Sequence, residues 1–213
     1  MTPPVTERFA TFVAETDYSA LSSRAIENAK LHILDTLGVA LAGYEHPVAN
    51  IVLDYCKFMG GTPDATIIGS SEKTSVPMGA FANGLLAHAI DYDDWDAVAR
   101  VGHPSCMIVA SSLSTGEAAG ASGKDFLTAY VVAIEIATQI AAACPDIIKR
   151  GFHSTPIYGS MGSAAAAASI LKLKTNQVRA AFGIAASAAG GLFRQQGSMV
   201  KPFHAGNGAR NGV

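Results

Sequence analysis

Ser22-Ser-Arg-Ala-Ile-Glu-Asn-Ala-Lys-Leu-His-Ile-Leu-Asp-Thr-Leu-Gly-Val-Ala-Leu-Ala-Gly43 is the stretch on which the fold class turns. Ile26, Ala29, Ile33, Leu37 and Leu41 recur every three or four residues, which lines up one face of an α-helix and would scatter over both faces of a strand. Gly43 is a fitting stop. The same period extends in both directions. Thr6 can cap a first helix that presents Phe9, Phe12 and Val13. Pro47, tolerated in a first turn because its missing N–H is not needed there, opens a helix that runs to Met59 and stops at Gly60-Gly61. Pro77 opens another through Ala82, Leu85 and Leu86 into Ile90, and Pro104 opens the next. Ser122 caps a helix from Lys124 to about Ala143, and Pro156 to Leu173 and Thr175 to about Ala189 supply two more. Ala65 to Ile68 is the only β-like stretch, and a glycine-punctuated segment runs from Gly190 to Val213. The fold class is all-α, with no linker, repeat or low-complexity tract.

The chain has 213 residues, enough to bury a sizeable core. Hydrophobic residues make 49% of it and charged residues only 15%, with a mean hydropathy of +0.27. The excess lies in alanine and glycine, as in Ser163 to Ile170 and Ala180 to Gly191, and such small side chains imply closely packed helices or an oligomer interface. The most apolar window, Leu127 to Cys144, is interrupted by Glu135 and Gln139 and is short for a bilayer, so no membrane partner is expected. The N-terminus has no basic segment followed by an apolar core, which argues against a secretory signal and for the cytoplasm. Cys56, Cys106 and Cys144 are odd in number and lack CxxC spacing, so neither a disulfide framework nor a thiolate metal site is indicated. A net charge of −2, a pI near 6.3 and the lack of any Lys/Arg run exclude nucleic acid as a partner.

Three segments carry residues suited to chemistry. The first is His88-Ala-Ile-Asp91-Tyr-Asp93-Asp94-Trp95-Asp96, followed by Gly102-His103-Pro104-Ser105. At helical spacing His88, Asp91, Asp94 and Trp95 share a face, so an apolar helix turns acidic at its C-terminal end, against the macrodipole. A solvated acidic loop is the plain alternative. His103 favours a site, because an imidazole beside carboxylates is held in the orientation and charge state that proton transfer needs. A calcium loop is rejected for want of the sixth-position glycine and the acidic twelfth ligand. No HxxxH or HExxH spacing anchors zinc, so no metal is expected.

The second segment, Arg150-Gly-Phe-His153-Ser-Thr-Pro156, places a histidine ahead of a proline-initiated helix whose first amides can hold an anion. The third, Gly197-Ser-Met-Val-Lys201-Pro-Phe-His204-Ala-Gly206, reads as a loop braced by glycine and proline. In it Lys201 can polarise a carboxylate and His204 can assist. For each histidine alone a capping or surface role is the bland reading, and for Lys201 a solvated one. Neither GxxxxGK[ST] nor a strand-linked GxGxxG is present, so the 21 glycines identify no nucleotide.

Together these segments resemble the MmgE/PrpD family, with further likeness in Leu31-His-Ile-Leu-Asp35-Thr-Leu-Gly38, Gly79-Ala-Phe-Ala-Asn83-Gly84 and the closing Ala209-Arg-Asn-Gly212. The resemblance covers essentially the whole chain. It implies a large helical domain with a smaller α/β lid, a homodimer, and a lyase that dehydrates or decarboxylates a small di- or tricarboxylate with no metal or organic cofactor. Residues 1–213 correspond to the helical part, without the lid, and Asn207 to Val213 reads as the entry to a helix cut short. By the same resemblance Asp91, His103, His153 and Lys201 line the active site as catalytic residues. Lys201, His204 and Asp94 are expected to bind substrate, His204 in a supporting role. Trp95 stands where decarboxylase-like relatives carry threonine, and the stretch from Asp94 to His103 is longer than theirs by a couple of residues. An epimerase of the same family, sharing a carbanion-like centre, and a non-catalytic dimerisation module are the rival readings.

Overall fold

The helix expected from Ser22 forms as α2, Ser23–Gly43, with the Ser22 hydroxyl accepting the Ala25 N–H, in a computed structural model that describes residues 3–213. Its buried face differs from the expected stripe. Ala29 and Ile33 are buried, whereas Leu41 is 54% exposed and its place is taken by Thr36, Val39, Ala40 and Gly43. The reason is geometric: steps of four residues overshoot a 3.6-residue turn, so the stripe rotates by roughly 40° at each step. At Gly43 the helix meets the Leu86 carbonyl so closely that a Cβ would collide with it.

Among the described residues nine α-helices carry the fold. Ahead of α2 lies α1, Val5–Glu15, and after it α3, Val48–Met59, which ends at Gly60 in a left-handed turn with φ of 64°. Two short strands, β1 at Ala65–Thr66 and β2 at Lys73–Thr74, pair antiparallel. Next come α4, Val76–Ala87, and α5, Ser105–Ala119. Then follow α6, Gly123–Ala143, α7, Ser154–Ile170, α8, Thr175–Ala188, and α9, Val200–Asn211.

The centre is built from α4, α5, α7 and α9. Every residue of α4 from Met78 to Ala87 is buried, and so is all of α7 except Ile157 and Met161. Helices buried on every side must pack without bulk. Accordingly, Gly84 lies against Ala205, Gly206 and Ala209, Gly206 lies against the Phe81 carbonyl, and Gly159 backs onto Met107. The alanine and glycine excess is thereby explained: these interfaces bring backbones together. By length and composition alone α6 could cross a bilayer. Here its Ala129, Val132, Ala133, Ile136 and Ala137 are fully buried in the core it shares with α7, and Ser122 and Asp125 close a capping box at its start.

Two departures bear on the site. Helix α4 stops at Ala87, short of Ile90, because His88 leaves helical geometry and Asp91 adopts φ of 55°. The Lys201 segment is helical from Val200 instead of a loop. Its proline stands in the first turn, where it removes no helical hydrogen bond, and the close contacts of Gly206 and Gly208 outweigh their poor helix propensity.

Candidate active site

The end of α4 and the starts of α5, α7 and α9 meet, and the four segments bring one imidazole each. His88 follows the last residue of α4, His103 lies two residues before α5, His153 precedes α7, and His204 sits in the first turns of α9. All four are buried, with exposures of 1%, 8%, 3% and 7%. Between α4 and α5 the chain must turn sharply. Asp91 and Arg100 take positive φ, and Asp96 accepts the N–H groups of Val98, Ala99 and Val101 to close the turn. Gly102, at φ of 95°, passes so close to the Thr155 hydroxyl that no side chain would fit. One residue on, the His103 N–H donates to that hydroxyl at 3.1 Å, which ties the loop to the start of α7.

Lys201 extends to Asp91, and the two form a salt bridge in which Lys201 is 9% exposed and Asp91 57%. The Asp91 carboxylate also lies 3.6 Å from Nε2 of His103. Burial pushes the Asp91 pKa up, but the Lys201 hydrogen bond and charge prevail and hold it below the ordinary carboxylate value. Asp93 is enclosed completely and faces two imidazoles, with His88 Nδ1 at 2.9 Å and His103 Nδ1 at 3.3 Å. Burial again acts upward, and the imidazoles of His103 and His88 overcome it, so Asp93 stays well below the usual carboxylate range.

The other two imidazoles have no carboxylate. Nδ1 of His153 and Nδ1 of His204 are 3.2 Å apart, so one ring donates and the other accepts. Burial, followed by the neighbouring charges of His88, His204, Lys201 and His103, lowers His153 to about 3. Burial and His88 lower His204 as well. Gly191, at φ of 146°, accepts the His153 N–H on its carbonyl and lies flat against Pro156 and the His204 ring.

Of the expected residues, Asp91, His103, His153, Lys201 and His204 thus come together. Asp94 is engaged elsewhere. Its carboxylate accepts both the N–H and the hydroxyl of Ser105, lies 4.0 Å from His32, and lines an open cleft of about 860 Å³ with His32, Asp35, Trp95 and Tyr130. Burial raises the Asp94 pKa against the pull of those Ser105 hydrogen bonds. Because the chain leaves the helix at His88, the residue turned inward is Asp93, not Asp94. Asp93 and Thr155 are therefore the site members that residue spacing misses, while His88, which spacing set beside Asp91, enters as the partner of Asp93. A signal for Asp93 existed in the cluster of four aspartates from Asp91 to Asp96, but a helical projection assigns it to the wrong face. Trp95, 61% exposed, sets its ring edge against His103 at 5.0 Å.

One donor atom from each of His88, Asp91, Asp93 and His103 lies within 4.8 Å of the others, a spacing a divalent cation would accept. In this arrangement Asp91 serves Lys201 and Asp93 serves the imidazoles. What the cluster supplies chemically is a cation to hold a carboxylate, neutral imidazole to accept a proton, and three helix N-termini that favour negative charge.

The MmgE/PrpD N-terminal domain profile matches residues 7–213. Cis-aconitate decarboxylase of Homo sapiens is 34% identical over 222 residues, covering 100% of this chain and 45% of that protein. Cis-aconitate decarboxylase of Aspergillus terreus is 27% identical over 201 residues, covering 91% and 41%. The probable 2-methylcitrate dehydratase of Saccharomyces cerevisiae is 36% identical over 138 residues, covering 60% and 26%. The chain spans less than half the length of these relatives. With the profile running through all four segments of the site, the chain belongs to the MmgE/PrpD family.

Proposed function

We propose that the protein carrying this chain is a lyase that removes water or carbon dioxide from a small di- or tricarboxylate, using side chains alone. The observation that carries this reading is the convergence of Lys201 and His103, from separate segments, on one partly exposed carboxylate, Asp91, with the buried His153–His204 pair beside them. The names of the relatives, cis-aconitate decarboxylase and 2-methylcitrate dehydratase, supply the substrate class and both reaction types.

Either reaction develops negative charge at a carbon beside a carboxylate, and stabilising that charge lowers the barrier. A substrate carboxylate competes with Asp91 for the Lys201 ammonium, and the start of α7 adds unpaired backbone N–H groups. In a dehydration one imidazole removes the proton next to the carboxylate while a protonated group returns one to the departing hydroxide, which leaves as water. In a decarboxylation the electron pair released with carbon dioxide takes up a single proton. His153, kept neutral at pH 7 by its lowered pKa of about 3, is a weak base and suits hydrogen bonding to the substrate without adding charge. His103, next to Asp91 and Asp93, suits proton exchange on the opposite side.

The test uses the full-length protein with cis-aconitate, 2-methylcitrate and citrate, following products by mass spectrometry in the presence of a chelator. His103→Ala should lower kcat by about 10²–10⁴-fold, the usual range for a general acid or base. A kcat within a few-fold of wild type would remove His103 from the mechanism, and loss of wild-type turnover on chelation would contradict side-chain-only chemistry.

A further inference from the structure

Asp93 takes no part in the reaction proposed above, yet its side chain is fully enclosed at the site. Its side-chain exposure is 0%, as is that of His88. Both Asp93 oxygens lie 2.9 Å from Nδ1 of His88. Its Oδ1 lies 3.3 Å from Nδ1 of His103. The two contacts are unequal: the first is a full hydrogen bond, and the second is an ion-pair contact whose alignment falls short of one. The His103 Nδ1 atom is buried and has no other partner, so its hydrogen has nowhere else to go. An ionised carboxylate only accepts, so the enclosed Nδ1 atoms of His88 and His103 that face Asp93 carry the hydrogen; Asp91, farther from His103 at 3.6 Å and already occupied by Lys201, makes no such demand on Nε2.

That constraint decides the other end of the ring. With hydrogen on Nδ1, a neutral His103 exposes its lone pair at Nε2, and Nε2 is the atom 3.6 Å from Asp91 and turned toward the Lys201 pair. Loops held by one hydrogen bond would let the ring flip. Here the His103 N–H is fixed on Thr155, its carbonyl accepts the Cys106 thiol, and its ring is wedged between His88 at 4.6 Å and Trp95 at 5.0 Å. His88 in turn keeps Asp93 from rotating away. A carboxylate behind an imidazole whose far nitrogen faces the reaction is the arrangement that holds a general base in the competent tautomer.

We propose that Asp93 is a positioning residue that fixes His103 in the Nδ1–H tautomer, so that Nε2 presents its lone pair to the substrate, with His88 as the second anchor of the same carboxylate. The catalytic consequence rests on the lyase reading, and the tautomer itself does not. Asp93→Asn keeps the shape but can turn an amide N–H toward His103, forcing hydrogen onto Nε2 and hiding the lone pair. A group that merely braced the loop would affect folding or substrate affinity instead.

Two measurements decide the matter. Nitrogen-15 spectra of the histidine rings of this 213-residue chain at pH 8 should show His103 with hydrogen on Nδ1; hydrogen on Nε2 overturns the proposal whatever the protein catalyses. In the full-length protein, Asp93→Asn should lower kcat by about 10²–10⁴-fold with KM within about threefold, by analogy with removal of the carboxylate from other carboxylate–imidazole pairs. A fall in kcat of less than about tenfold, or a loss expressed mainly in KM, overturns it. If the wild-type protein turns over none of the carboxylates, the lyase reading fails and the ring spectra still decide the tautomer. If Asp93→Asn does not fold, the wild-type spectra carry the decision, and His88→Gln, which loosens Asp93 without removing it, should shift the tautomer ratio of His103.

Discussion

Two imidazole pairs share this site and are built on opposite principles. His88 and His103 flank a buried carboxylate, whereas His153 and His204 face each other with no carboxylate between them. Both pairs are buried to a similar degree, so burial alone does not distinguish them. The partner does. The imidazoles of His88 and His103 hold Asp93 below the ordinary carboxylate value, while burial, followed by the neighbouring charges, drives His153 to about 3. One fold thus holds an imidazole pair anchored on a carboxylate and a pair without one, within 6.3 Å ring to ring from His88 to His153.

The comparison breaks most severely if the shared carboxylate is removed outright. Asp93→Ala leaves the buried Nδ1–H groups of His88 and His103 without an acceptor and should destabilise the chain by about 2–6 kcal/mol, roughly 1–3 kcal/mol for each unpaired donor; urea unfolding monitored by circular dichroism measures it. An effect below about 1 kcal/mol would mean that the pair is solvated in solution.

A pH series sharpens the contrast. The folded pKa of His153 lies at about 3 against an ordinary value of 6.5. The unfolded chain therefore binds a proton that the folded chain refuses, and stability falls as pH drops from 6.5 toward 3. Between pH 7 and pH 5 this costs about 2 kcal/mol by linkage, and His204 adds in the same direction. Asp93 acts in the same direction but in a lower window: its lowered pKa contributes stability above the ordinary carboxylate value near 3.8 that is lost as pH falls below it. Thermal melts should accordingly show a loss between pH 7 and pH 5 that His153→Leu diminishes. An unchanged pH profile in that variant would assign the loss to other groups.

The smallest expected effect concerns the tie between the two halves of the site. Thr155→Val keeps the volume but leaves the buried His103 N–H without an acceptor, at about 1–2 kcal/mol. A variant as stable as wild type would show that water replaces the hydroxyl.

Much of this architecture was legible in the chain. The three-and-four spacing located eight of the nine helices among the described residues, while most of α9 was read as a loop, and proline or serine marked the first turns of α3, α4, α5 and α6 within a residue or two. The β2 strand was not legible, since two residues carry no period. At the site, Asp91, His103, His153, Lys201 and His204 were recognisable from residue type and from the family resemblance. Asp94 was assigned by projecting a helix through His88, and the chain leaves the helix there. The same projection concealed Asp93 and the part played by Thr155.

By itself the sequence determined which residues form helices, because periodicity, caps and prolines are local properties, and which residue types are available for proton transfer. Tertiary structure alone decided which carboxylate stands behind which imidazole. That choice depends on the positive φ at Asp91 and on the close passage of Gly102 past Thr155, and it rests on contacts between segments tens of residues apart. The same packing separates a histidine held by Asp93 from one emptied of its proton by burial, a difference that no spacing along the chain contains.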